Sequence, residues 1–210
     1  MTLVITTFDW VPDISKGYVR DIRVRWACEE AGLPYHVETT SVREKTLPYM
    51  LRQPFGQVPM VDDGDISLFE SGAILLYLGD RHEALIPRDP RQRAETQQWM
   101  IAGLNTLEPV IMAYFMAKIS DQNETATGLL QPRLQERLRQ LAPVLAKREF
   151  IASGCFTAAD ILICEALRLV AHMDELDPHP VLTDYVQRMT ARPAFQQALA
   201  AQLDHFTEAA

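Results

Sequence analysis

The chain has 210 residues, 48% of them hydrophobic and 23% charged, which is the usage of an ordinary globular protein with enough core to fold without disulfides. Its 20 Lys and Arg stand against 28 Asp and Glu, a formal net charge of −8, and this argues against a basic nucleic-acid footprint. No apolar run reaches 18 residues, and the start, MTLVITTFDW, lacks a basic segment followed by a long apolar one, so neither a membrane span nor a secretory leader is expected.

Residues 1–82 alternate strand-like and helix-like patterns, whereas residues 90–210 carry only helical ones. Leu3 to Phe8 is β-branched and apolar, as in a buried strand. A long loop runs from Asp9 to about Lys16, and a helix is predicted over 17–31, stopped by Gly32 with Pro34 just beyond. Residues 35–40 alternate as a second strand, and 44–51 suit a short helix. Residues 58–61 and 66–69 read as strands joined by Asp62-Asp63-Gly64-Asp65, whose Asp-Gly pair is a strong hairpin signal. A third helix begins near Ser71. Pro87 and Pro90 mark residues 83–89 as a linker.

Beyond it, helices are predicted over 90–118, 126–147, 158–173, 181–191 and 194–204. Pro109 and Pro143 are expected to kink or interrupt two of them. Residues 161–170 are apolar nearly all round, which places that helix at the centre of a bundle. Thr157-Ala158-Ala159-Asp160 before it has the spacing of a capping box.

Three segments of the first part carry candidate chemistry. At Val58-Pro59 a proline enters a short strand. A cis bond there would leave the Val58 N–H and C=O free to pair with a peptide-like ligand; a trans edge proline is the alternative. At Glu70-Ser71 a strand gives way to a helix N-terminus. Amides, dipole and hydroxyl favour a carboxylate, while Glu70 can accept from an ammonium, so one spot can hold both halves of an α-amino acid group. At Ser15-Lys16-Gly17-Tyr18-Val19-Arg20-Asp21, two hydroxyls and two cations stand beside another helix start, a setting that favours a thiolate.

These residues carry a resemblance. Residues 23–33 (RVRWACEEAGL), Gly56-Gln57-Val58-Pro59, residues 69–78 (FESGAILLYL), Leu85-Ile86-Pro87 and residues 156–161 (FTAADI) stand in an order and spacing that resemble the cytosolic glutathione transferases over nearly the whole chain. The resemblance implies an α/β thioredoxin-like N-terminal domain (1–82), a linker (83–89) and an all-α C-terminal helical bundle (90–210). It implies that Val58-Pro59 is a cis pair facing the cysteinyl backbone of glutathione, that Glu70 and Ser71 hold the γ-glutamyl group, and that Gln57 touches the rest of the tripeptide.

The catalytic position departs from the family pattern, because the loop from Asp9 to Gly17 is long. Counting back from Arg23-Val24-Arg25, Tyr18 falls where serine-type members keep their hydroxyl, Ser15 is the alternative, and Arg20 falls where cysteine-type members keep a thiol. With no cysteine before Cys28, a mixed disulfide with the protein itself is disfavoured.

The resemblance further implies a transferase that joins the glutathione thiolate to small hydrophobic electrophiles, with no cofactor beyond glutathione as co-substrate. It implies no membrane or nucleic-acid partner, a homodimer and a cytoplasmic setting, which three scattered cysteines (Cys28, Cys155, Cys164) also fit. Met112, Tyr114 and Phe115 on the first bundle helix, with Trp10 in the long loop, are candidates for the apolar co-substrate site. The five dispersed histidines give no metal-ligand spacing, so no metal is expected. Two other readings compete: reduction of a disulfide or peroxide by glutathione, and a non-catalytic binding module on the same scaffold.

Overall fold

The computed structural model describes residues 2–120 and 124–208. In chain order its elements are β1 (Leu3–Phe8), a 3-10 turn (Asp13–Ser15), α1 (Asp21–Ala31), β2 (Tyr35–Thr40), α2 (Leu47–Arg52), β3 (Met60–Asp63), β4 (Ile66–Phe69) and α3 (Ser71–Arg81). There follow α4 (Pro90–Ala102), a π-helical segment (Gly103–Leu107), α5 (Glu108–Ile119), α6 (Glu124–Leu145), α7 (Ala158–His172), α8 (Pro180–Thr190) and α9 (Pro193–Glu208). The chain divides into two compact units: one combines everything up to Leu85 with the stretch from Arg192 onward, and the other is Ile86–Ala191. The seam falls inside the predicted linker. The last helix differs from expectation, because it packs with the first unit and not with the bundle.

The first unit is built on a four-stranded sheet in the order β2-β1-β3-β4. β1 pairs in parallel with β2 (Ile5 opposite Val37) and antiparallel with β3 (Ile5 opposite Val61), and β3 and β4 form the expected hairpin (Val61 opposite Leu68). As an inner strand β1 buries Leu3, Ile5, Thr6 and Thr7, which is why it reads as a continuous apolar and β-branched run. β3 starts at Met60, two residues later than expected, because Pro59 has no amide for the ladder.

α1 starts at Asp21, later than the predicted 17. Gly17 stands at φ +79°, a left-handed turn that a helix cannot include. The helix ends at Gly32 (φ +64°), where the Leu33 amide donates to the Cys28 carbonyl at 2.8 Å. α1 is buried nearly all round, since it packs on α3 and β1 and also on α9. Its apolar contacts there include Trp26 edge-on to Phe195, with ring centroids 4.9 Å apart.

In the second unit, α4, the π segment and α5 form one unbroken helical run from Pro90 to Ile119. Pro109 sits in the first turn of α5, directly after the π segment, so its missing amide is absorbed by a widened turn. This run is long and apolar enough, by length and composition, to cross a membrane; Met100, Leu107, Ile111 and Tyr114 on it are buried in the structure. α7 is buried on almost every side, as its composition predicts. The reach-back half of its capping box is present: Asp160 Oδ2 accepts from the Thr157 amide at 2.9 Å. Its other oxygen, Oδ1, accepts from the Ile151 amide and the Tyr185 hydroxyl, each at 2.8 Å.

Candidate functional site

The first unit contains a small apolar cluster in which Tyr49, Val58 and Met60 are buried and Phe8, Val19 and Phe69 pack against them. Each of the last three adjoins a candidate segment. Phe8 ends β1 where the long loop begins, Val19 lies between Tyr18 and Arg20, and Phe69 precedes Glu70. The hairpin enforces part of this gathering, because Met60 stands opposite both Thr6 and Phe69. The Val58–Pro59 peptide is cis, and the β3 ladder begins only at Met60, so Val58 takes no part in it. The three sequence-predicted segments therefore meet in one place. Gln57 is exposed, and its carbonyl accepts from the Tyr49 hydroxyl.

Ser71 is buried at the first position of α3, and its hydroxyl accepts from Arg23 Nη1 of α1 at 3.2 Å. Glu70 is the N-cap. Its carbonyl accepts the first helical bond from the Ile74 amide at 3.0 Å, while its side chain caps nothing and is exposed. It does this at φ 69° and ψ 116°, a conformation few residues other than glycine adopt. Strain of this kind persists only where the surroundings enforce it, and it concentrates at ligand sites. The carboxylate, which attracts a cation, is thus held out beside a helix N-terminus, which attracts an anion, and an amino acid zwitterion needs both.

The loop between β1 and α1 is anchored at its start. The Asp9 amide donates to the Thr40 carbonyl at 3.0 Å, and Asp9 Oδ1 accepts from the Val42 amide at 3.1 Å. Ser15, Tyr18 and Arg20 are half-buried. Lys16 pairs with Asp13 at 2.9 Å and holds that carboxyl below its usual range. The first-turn amides of α1 are less available than a bare helix start would offer: Ile22 donates to the Val19 carbonyl at 3.0 Å and Arg23 to the Arg20 carbonyl at 3.2 Å. Polar groups offered to an anion there are therefore mainly side chains. Burial of Cys28 inside α1 pushes its thiol up to about 12, so it offers no reactive sulfur.

Two cations near the site carry no motif in the sequence. Lys45 Nζ lies 4.1 Å from the centre of the Phe8 ring and donates to the Ser41 carbonyl at 3.0 Å. Its stem runs past Gly56, directly before Gln57-Val58-Pro59, and burial lowers its pKa. Arg43 stacks over Trp10, with the guanidinium 4.8 Å from the ring centroid. Both follow β2, and only a mapped fold relates them to β1. In the helical unit, Met112 and Phe115 are half-buried on α5, whereas Tyr114 is 2% exposed and its hydroxyl donates to Glu175 inside the bundle. Tyr114 is therefore placed as a core residue.

A four-stranded sheet with a cis-proline pair, an N-cap carboxylate beside a buried hydroxyl at the third helix and a separate helical unit define a two-unit protein of thioredoxin-like and helical parts. The chain matches the glutathione S-transferase N-terminal domain over residues 4–80 and the C-terminal domain of the same family over residues 105–202. It belongs to the glutathione S-transferase family. It is 28% identical over 158 residues to the Arabidopsis thaliana glutathione S-transferase F14, a match spanning 68% of this chain and 62% of that one. It is 26% identical over 204 residues to the stringent starvation protein A homolog of Pasteurella multocida, spanning 93% and 90% of the two chains. A Pseudomonas fluorescens glutathione transferase family member, solved with two glutathione molecules bound, superposes with a TM-score of 0.81 at 23% identity over 94% of this chain and 92% of that one.

Proposed function

We propose that the protein binds glutathione across its first unit and transfers it, through sulfur, to small hydrophobic electrophiles. The observation that carries this reading is the meeting of Val19, Val58 and Phe69 in one apolar cluster. Tyr18 and Glu70 are the chain neighbours of Val19 and Phe69, and Val58 opens the cis-Val58-Pro59 pair. Glu70 accepts from the γ-glutamyl ammonium, and Ser71 with the α3 N-terminus holds the adjacent carboxylate. The Val58 backbone pairs with the cysteinyl residue as an added strand does, and Gln57 and Lys45 serve the glycyl end.

Tyr18 or Ser15 donates to the sulfur, and Arg20 adds positive charge. The thiol loses its proton to solvent, and the thiolate attacks the electrophilic carbon. A C–S bond forms, and the electron pair leaves with the displaced group or is quenched by a proton. Catalysis consists of a lowered thiol pKa and proximity. Met112 and Phe115 are the helical unit's apolar candidates for the acceptor. Cytoplasmic residence and homodimerisation are part of the same proposal and rest on family membership.

Calorimetry with glutathione, followed by conjugation of a chloronitroaromatic acceptor, tests this reading. Binding plus turnover is expected. Binding without turnover, but with reduction of hydroxyethyl disulfide, would move the function to glutathione-dependent reduction. Binding without either activity would make the protein a glutathione-binding module. Absence of binding would end the proposal. The module reading is favoured by one observation: a long loop, residues 9–20, separates the end of β1 at Phe8 from the start of α1 at Asp21.

A further inference from the structure

The loop between β1 and α1 is moulded on the C-terminal helix. Gln202 of α9 is fully buried, and its amide nitrogen donates twice, to the Val19 carbonyl at 3.0 Å and to Asp21 Oδ1 at 2.5 Å. Asp21 is completely buried, and its other oxygen accepts from Arg25 Nε at 2.7 Å. Arg25 in turn donates to the Ala201 carbonyl of α9 at 3.3 Å. At the loop's other flank, His205 Nε2 lies 3.0 Å from the Phe8 carbonyl. Between these ties, Gly17 presses against α9 so closely that a Cβ there would come within 3.2 Å of Leu199 Cδ1. One helix therefore touches the loop before, within and after the segment that carries Ser15, Tyr18 and Arg20.

We propose that Gln202 is a positioning residue for thiol activation, fixing the Val19–Asp21 backbone so that the Tyr18 and Arg20 side chains are presented to the glutathione sulfur. The inference rests on the glutathione reading above for its chemical consequence, but the tether itself does not. A fully buried hydrogen bond is costly to lose, because the group left without its partner has no water to replace it. Its loss also removes one of the groups that, with Arg25 and Thr7, offset the burial of the Asp21 carboxyl. The Gln202 bonds act on the Val19 backbone and the Asp21 carboxyl. Their loss degrades geometry at the sulfur while leaving the Glu70–Ser71 clamp intact.

The test compares Gln202→Met, which keeps length and removes the donor, with Arg192→Met. The latter removes the pair to Glu30 (2.6 and 2.7 Å), which ties α9 to the far end of α1 away from the loop. Amide hydrogen exchange is read first, without ligand. Gln202→Met speeds exchange of the Tyr18, Ile22 and Arg23 amides by about tenfold or more, and Arg192→Met leaves them near the wild-type rate. The pH dependence of the glutathione thiolate absorbance is read second. Gln202→Met raises the bound thiol's pKa by about half a unit or more and lowers kcat, with KM for glutathione changed by less than about twofold.

His205→Ala removes only the outer tie and moves both readouts in the same direction by less, which keeps the test open if Gln202→Met does not fold. Wild-type exchange in Gln202→Met, or equal acceleration in Arg192→Met, overturns the tether. Accelerated exchange with an unmoved thiol pKa overturns the positioning role. Failure of the wild-type protein to bind glutathione overturns the functional reading, while the exchange experiment still decides the tether.

Discussion

Replacing Glu70 by glycine should make the protein more stable and less able to hold glutathione. Glu70 stands at φ 69° and ψ 116°. Holding a residue with a Cβ in such a region costs about 1–3 kcal/mol, whereas glycine adopts it freely and repays about 0.5–1 kcal/mol through its more flexible unfolded chain. The net gain is about 1 kcal/mol, which raises Tm by roughly 2–4 °C in a chain of this size. Against this, the exposed Glu70 carboxylate is assigned the ligand's ammonium. A hydrogen bond to a charged group contributes about 1.5–3 kcal/mol, and exposure puts this one at the low end, near a tenfold loss of affinity. Glu70→Ala separates the two effects, because it keeps the Cβ and loses the carboxylate: it should weaken binding equally with no rise in Tm. Thermal melts and calorimetric titration of the three proteins decide the matter. Glu70→Gly melting no higher than Glu70→Ala would remove the strain argument, and undiminished affinity in both would remove Glu70 from the site.

Tyr18→Phe and Ser15→Ala, made separately, identify the hydroxyl that faces sulfur. The correct one raises the pH midpoint of conjugation, each unit representing about 1.4 kcal/mol of lost thiolate stabilisation, and an unmoved midpoint in both refutes the catalytic assignment. Lys45→Ala should raise KM for glutathione several-fold and leave kcat within about twofold; a fall in kcat alone would place Lys45 elsewhere in the mechanism. Burial pushes the Asp160 carboxyl up from 3.8 to about 6. Its contribution to stability is therefore full below about pH 4 and lost as pH rises through about 6, up to roughly 3 kcal/mol in all. In denaturant unfolding, the stability of wild type relative to Asp160→Asn should decline by that order between pH 4 and 7, and a constant difference would show that Asp160 does not titrate in this range.

Much of the first unit is written in short-range signals. Asp62 to Asp65 announce the hairpin and Gly32 stops α1 where expected, and in the second unit Thr157 with Asp160 mark the start of α7. The candidate segments stand out because Val58-Pro59 and Glu70-Ser71 pair a backbone peculiarity with a chemical one, and the structure shows the backbone half of each: a cis bond at Pro59 and a positive φ at Glu70. What stayed hidden depends on distant partners. The delayed start of α1 follows from the left-handed Gly17, whose close neighbour Leu199 lies about 180 residues away. The placement of α9 is set by Gln202, His205 and Phe195, which look like ordinary helical residues until their partners Asp21, Phe8 and Trp26 are known. Lys45 is likewise one lysine among surface cations until β1 brings the Phe8 ring beneath it.

Because the stretch from Arg192 onward completes the unit begun by the first 85 residues, Ile86–Ala191 is an insertion between two parts of one structure. During translation the sheet emerges long before the helix that covers Trp26 and Asp21 exists. At ordinary synthesis rates the delay is about 5–20 s. Over that interval the nascent amino-terminal lobe carries a bare apolar flank and an uncovered Asp21–Arg25 pair, so its native closure waits until α9 has been made.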